Sequence, residues 1–209
     1  MIKRVYRKIK RIFCPPPLPI DYEEFKKKED YEYLISQGVE TEYGNVFLGG
    51  KPIIKKHPNS RIIIGKNVLL FSDTKYNVAG INHPVILATC AENAVIELKD
   101  GCGMSGTSVV AVKHIEIGEK TMLGVNTNVY DTDFHPIDPI ERYNQKNILD
   151  ASAAPIIIGK NVWIGANSTV LKGVMIGNNS VIGTHSLVNK NVGENELVAG
   201  IPAKIIRKI

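Results

Sequence analysis

The sequence predicts an all-β protein built as a parallel β-helix, and three observations predict it. From residue 158 the chain reads IGKNVW, IGANST, VLKGVM, IGNNSV, IGTHSL, VNKNVG, with an aliphatic residue at every sixth position: Ile158, Ile164, Val170, Ile176, Ile182 and Val188. Four of these six are followed by Gly, and four residues past each stands a small or β-branched residue: Val162, Ser168, Val174, Ser180, Ser186 and Val192. A weaker form of the same beat runs through "IGKNVLLFSDTK" (64–75) and "IGEKTMLGVNTNVYDTDF" (117–134). Neither the 3.6-residue period of a helix nor the alternation of an ordinary strand gives a spacing of six, whereas a hexapeptide solenoid does. Each unit lays down one short strand and one corner. The aliphatic residue points inward, the small one fits near the corner, and Gly or Asn tolerates the positive φ that corners often demand.

Taken in order, the chain opens with "MIKRVYRKIKRIF" (1–13), which carries six basic residues and no acid. Its apolar residues Ile2, Val5, Tyr6, Ile9, Ile12 and Phe13 fall at helical spacing. A helix lying on an anionic membrane surface and a basic helix docked on protein both satisfy that pattern. "CPPPLP" (14–19) stops any helix and acts as a stiff spacer. Residues 21–38 predict a short helix with Asp21 as N-cap and Gly38 as stop. The predicted organisation is an N-terminal extension over 1–60, the β-helix over 61–203 with an extended loop at 135–155, and a basic tail at 204–209. Between 76 and 116 the fragments "HPVILA", "AVIEL" and "TSVVAV" predict strands with irregular corners.

No apolar run approaches the roughly 18 residues that cross a bilayer, and the charged N-terminus lacks the apolar stretch of a secretion signal, so a cytoplasmic location is expected. Cys14, Cys90 and Cys102 are odd in number and widely spaced, which predicts plain thiols rather than a disulfide framework or metal site. The net charge of +5 is modest, and no basic stripe interleaved with aromatics suggests nucleic acid.

Three stretches, "IEIGEKTMLGVNTNVYDTDFHPID", "IIIGKNVWIGANSTVLKGVMIGNNSVIGTHSLVNKNV" and "ELVAGIPAKIIRKI", resemble the hexapeptide-repeat acyltransferases, in particular the galactoside and maltose O-acetyltransferases and those of surface-polysaccharide clusters. The resemblance implies a left-handed coil, against the usual right-handed preference for crossovers. It also implies a homotrimer with active sites in grooves between neighbouring prisms, acetyl-CoA as cosubstrate, no metal, and a carbohydrate acceptor. The implied reaction moves an acetyl group onto a sugar hydroxyl in polysaccharide or glycolipid assembly, and a basic N-terminus lying on the inner face of the membrane would suit it.

Acetyl transfer from a thioester to an alcohol needs a base and a stabilised oxyanion. His135 follows "VYDTDF" and precedes Pro136 where the repeat breaks, and the family's catalytic base is the His of this His-Pro step. Asp131 and Asp133, four and two residues earlier, are placed to orient the imidazole, to bind a sugar hydroxyl, or to sit as solvated corner residues. His83 is the nearest rival, and His57, His114 and His185 have weaker claims. On the thioester side the resemblance implicates Trp163, the Ala166 amide as oxyanion donor, Thr184, Asn189, Lys190, Lys204 and Arg207. On the acceptor side it implicates Ser105, Thr107 and Asn126. The long polar segment after His135 is expected to reach over a neighbouring groove.

Alternatives are N-acetyl transfer to an amino or nucleotide sugar and a non-catalytic scaffold. A carbonic anhydrase needs three clustered zinc-binding histidines, and the five here are scattered.

Overall fold

The computed structural model describes residues 20–209, with side chains from Glu24 onward. The basic segment 1–13, the spacer 14–19 and Cys14 lie outside the described residues. Helix α1 (Ile20–Ser36) starts one residue before Asp21, so the expected cap is already inside the helix. Its end is as expected. Gly38 adopts φ +74° while its N–H donates to Ile35 O at 2.9 Å and Val39 N–H donates to Leu34 O at 3.1 Å, so two of the last carbonyls are satisfied. Among the described residues no helix is long and apolar enough to cross a membrane.

Among the described residues nineteen strands then run through three sheets, and up to β17 every third strand returns to the same sheet. Face one stacks β1 (Val46–Gly49), β4 (Val68–Phe71), β7 (Gly103–Ser105), β10 (Met122–Leu123), β13 (Trp163–Ile164), β16 (Val181–Ile182), β18 (Glu196–Ala199) and β19 (Lys204–Lys208). Face two stacks β2 (Ile53–Lys56), β5 (Ile86–Thr89), β8 (Ser108–Ala111), β11 (Asn128–Tyr130), β14 (Thr169–Val170) and β17 (Leu187–Val188). Face three stacks β3 (Arg61–Ile64), β6 (Val95–Leu98), β9 (His114–Ile117), β12 (Ile156–Ile158) and β15 (Met175–Ile176), and a bridge from Ile176 to Val192 extends it. All pairings between these strands are parallel except β18 with β19. The result is a three-sided parallel β-helix.

Both ends of the prism differ from the predicted bounds. The first coil opens at Val46, and β1 and β2 already belong to faces one and two, so a start at 61 falls a coil's two strands too late. "VFLG" and "IIKK" start seven residues apart and β3 starts eight after β2, so no period of six marks them. Residues 204–208 form an antiparallel edge strand rather than a tail.

The six periodic aliphatics, Ile158 to Val188, are each no more than 2% exposed, and the residues four positions later are buried as well. The corner hydroxyls cap turn carbonyls: Ser180 Oγ donates to Gly193 O at 2.6 Å and Ser186 Oγ to Gly183 O at 2.7 Å. Cys102 is fully buried, and burial pushes its thiol up to about 12, which leaves it inert at neutral pH. Burial also raises the half-buried Cys90.

Positive φ falls on glycine and asparagine, as expected, among them Gly173 and Asn161, Asn179 and Asn195, and the amides of those three asparagines also bond one another at 3.2 and 3.1 Å up one edge. The glycine after each aliphatic is there for space: a Cβ on Gly165 would sit 2.5 Å from Thr184 N, and one on Gly177 the same distance from Glu194 N. Gly165→Ala is expected to destabilise the fold by about 2 kcal/mol or more. Gly103→Ala, whose Cβ would meet Leu69 Cβ at 3.6 Å, is expected to stay within about 0.5 kcal/mol. Chemical denaturation of the two variants checks the contrast.

Candidate active site

After a shorter excursion at 72–85 between β4 and β5, the coil makes its longest one between β11 and β12, at the edge shared by faces two and three. The base of the excursion is pinned. Asp131 is fully buried, and its two carboxylate oxygens accept the N–H groups of Val112 and Lys113, each at 2.7 Å, from the coil beneath. Thr132 bridges Ala153 antiparallel, Asp133 N–H donates to Ser152 O at 3.0 Å, and Ala154 N–H donates to Asp131 O at 2.9 Å. The segment expected to wander has its own structure. Asp138 caps the short helix α2 (Pro139–Tyr143), and Asn147 and Asp150 form a capping box on a 3-10 turn at Ile148–Asp150.

His135 is exposed at the outgoing arm, just after Phe134, a residue in the left-handed region at φ +63°. Phe134 packs edge-on against Tyr130 with ring centroids 5.2 Å apart, and Pro136 is buried. The imidazole Nδ1 stands 2.7 Å from Gln145 Oε1, and Gln145 Nε2 donates to the Phe134 and Asn147 carbonyls at 2.9 Å. Beside the ring lies an open concavity of about 330 Å³ lined by Phe134, His135, Gln145, Lys146, Asn147 and Ile148. Here a base can meet a substrate while its other ring nitrogen is held.

Neither aspartate performs the orienting task considered for it. Asp131 spends both oxygens on backbone N–H groups; burial pushes its carboxyl up, and those bonds oppose the shift. Asp133 pairs with Lys172 at 2.8 Å. The residue that does touch His135 is Gln145, a lone glutamine in a polar loop with no pattern to mark it in the sequence. Of the other histidines, His83 Nδ1 lies 2.8 Å from Pro84 O, and His185 Nδ1 lies 3.1 Å from Thr184 Oγ1 at a corner. His114 stands with Glu97 and Glu116 on face three, where Lys99 pairs with both carboxylates.

A second group of expected residues collects on a different edge, between faces one and two. Ala166 lies between β13 and β14, and Thr184 lies at the equivalent corner one coil on. Ala166 O accepts Thr184 Oγ1 at 2.7 Å and His185 N–H at 2.8 Å. The Ala166 and Thr184 N–H groups have no acceptor among the described residues. Trp163 stands outward on face one, 54% exposed, in register with Met122 and Val181. Asn189 and Lys190 are exposed on the same edge as His135, and Lys204 and Arg207 are exposed on β19.

On the acceptor side the structure corrects two expectations. Thr107 is fully buried with its hydroxyl on Ser105 O at 3.3 Å, and Ser105 is buried with its hydroxyl accepting Asn77 Nδ2 at 2.9 Å. Both serve the corner, because inward turn positions take up their hydroxyls. Asn126 is half-buried, and its Oδ1 accepts Asn82 N–H at 2.9 Å. Face two separates His135 from Ala166 and Thr184, so a single chain does not bring them together.

Residues 155–190 match the model described as bacterial transferase hexapeptide (six repeats). The chain is 34% identical over 137 residues to YJL218W of Saccharomyces cerevisiae, assigned by inference as an acetyltransferase, covering 59% of this chain and 67% of that protein. It is 36% identical over 106 residues to WbbJ of Escherichia coli K12, assigned by inference as a lipopolysaccharide biosynthesis O-acetyl transferase, covering 48% of this chain and 53% of that one. The chain thus spans little more than half the length of WbbJ. Among solved structures, AntD of Bacillus cereus, an N-acyltransferase bound to dTDP and 3-hydroxybutyryl-CoA, superposes with TM-score 0.64 at 22% identity over 85% of this chain and 87% of that one. At that identity the likeness concerns the fold, and the shared fold is the left-handed β-helix. Asp131→Ala leaves the buried Val112 N–H and the part-buried Lys113 N–H without their acceptor and is expected to cost about 3 kcal/mol, read by chemical unfolding.

Proposed function

This chain belongs to the hexapeptide-repeat acetyltransferase family, and from that premise we propose that it transfers acetyl from acetyl-CoA to a sugar hydroxyl, with His135 as general base. The observation that carries the reading is the exposed imidazole at the interrupted coil, held at Nδ1 and open to a concavity. His135 Nε2 takes the hydroxyl proton as the oxygen attacks the thioester carbonyl. The C–S bond then breaks, and the imidazolium returns the proton to the departing thiolate. Direct transfer needs no covalent enzyme intermediate and no metal.

The developing oxyanion needs a preorganised donor. The unpaired Ala166 N–H is suited to it, but lies on another edge of the same prism. The site is therefore completed by a neighbouring copy, in a homotrimer where one protomer's His135 faces another's Ala166, Thr184 and Trp163. Trp163 and the exposed Lys190, Lys204 and Arg207 suit the pantetheine arm and phosphates of the cosubstrate. Similarity to WbbJ favours a saccharide acceptor in surface-polysaccharide assembly, and a cytoplasmic location is part of the same proposal. Contact of residues 1–13 with anionic lipid belongs to the same reading.

His135→Ala is expected to lower turnover about a hundredfold or more, with acetyl-CoA affinity little changed, measured as thiol release against hydroxyl and amine sugars. Unaltered turnover would remove the base, and turnover on amines alone would replace O- by N-transfer. Mixing His135→Ala with Trp163→Arg chains is expected to restore part of the activity lost by each. Failure to complement, with mixed oligomers formed, would confine the site to one chain.

A further inference from the structure

Gln145 lies ten residues beyond His135, and its side-chain amide reaches three groups at once. Oε1 is 2.7 Å from His135 Nδ1, while Nε2 donates to the carbonyl oxygens of Phe134 and Asn147, both at 2.9 Å. Only the NH₂ end of an amide can serve two carbonyls, so the group has one admissible orientation. Turned over, its oxygen would face two other oxygens. The oxygen against the ring accepts and cannot donate, so in the neutral imidazole Nδ1 carries the hydrogen. The lone pair then sits on Nε2, the nitrogen that the loop leaves unengaged.

We infer that Gln145 is the positioning residue of this site: it locks His135 in the tautomer that can take a proton, and it does so by clamping the loop closed on itself. The inference rests on His135 being the base. Two further features support it. Phe134 is held at φ +63°, costly for an aromatic residue, by Thr132 Oγ1 on its N–H at 3.2 Å and by Gln145 on its carbonyl. The same bond that orients the ring therefore also maintains the strained turn that presents it. In addition, the clamp is neutral. The charged groups on and around this loop are Lys146 on the concavity, Arg142 donating to the Pro136 and Ile137 carbonyls, Asp138 and Asp150 accepting backbone N–H groups, Glu141 on the short helix, and the Asp133–Lys172 pair; the ring's own partner adds no carboxylate.

The test uses full-length protein with ¹⁵N-labelled histidine, assigned by comparison with His135→Ala, together with Gln145→Leu and Gln145→Glu. The wild-type ring is expected as the Nδ1–H tautomer. In Gln145→Leu it is expected to become a mixture, with kcat down about tenfold and the KM for acetyl-CoA within about twofold. Gln145→Glu keeps an acceptor against Nδ1 but loses the two donors to the Phe134 and Asn147 carbonyls, so it is expected to retain the tautomer with kcat lowered as in Gln145→Leu, while the acidic limb of its pH–rate profile moves up by about one unit, as a carboxylate favours imidazolium. An Nε2–H wild-type ring, or a Leu variant with unchanged tautomer and kcat, overturns the proposal. If His135→Ala itself leaves turnover intact, the functional reading has failed, and the spectra alone decide whether the clamp sets the tautomer.

Discussion

The molecule depends on how closely one coil rests on the next at the corners. A Cβ on Gly124 would lie 2.6 Å from Ala166 N, and one on Gly118 would lie 2.3 Å from Gly159 O. No side chain fits, so backbone meets backbone at strand spacing and each turn stacks over the last. That spacing has a consequence for the surface. Side chains on successive strands fall into registered rows, and face one carries Phe47, Leu69, Met122 and Trp163 outward in one such row, broken by Gly103. It also stacks the unpaired N–H groups of Ala166 and Thr184 at equivalent corners.

An insertion into such a stack must leave and return without disturbing it. The chain does this by burying the hinge: Asp131 bonds down to the lower coil, and Ala153 and Ala154 bond across to the outgoing arm. The cost of placing a carboxylate in a dry corner is offset by the two N–H groups it accepts. With the hinge pinned, the loop tip is left outward, where Ile137, Ile140, Tyr143 and Leu149 are all largely exposed. A rigid root and an apolar, unpacked tip suit a segment whose partner is another surface rather than its own core. The geometry of the two edges agrees, since the imidazole and the open amides belong to different sides of one prism.

The hexads from residue 158 were legible in the sequence because each carries its own punctuation, an inward aliphatic and a Gly or Asn corner. The first coil was not legible. It has a glycine corner, Gly50 at φ +92°, but its strands start seven and then eight residues apart, so they are recognisable only by the neighbours they pair with, as Val46 does with Val68. The same distinction divides the site. His135 stood out because it sits where a period ends, and a period is a local property. Gln145 did not, because its contact crosses a ten-residue excursion whose path no local preference sets.

Sequence by itself determined the solenoid, the inward ladder, the place of the interruption and the histidine at it, since these follow from residue type at fixed spacing. Only tertiary structure decided which way the corner side chains turn. Asp131, Ser105 and Thr107 are polar residues at plausible surface positions, yet all three are buried and committed to their own chain's backbone or side chains. Spacing along a chain says how far apart two residues are in sequence, but whether a side chain meets solvent or the coil below is settled by the coil below.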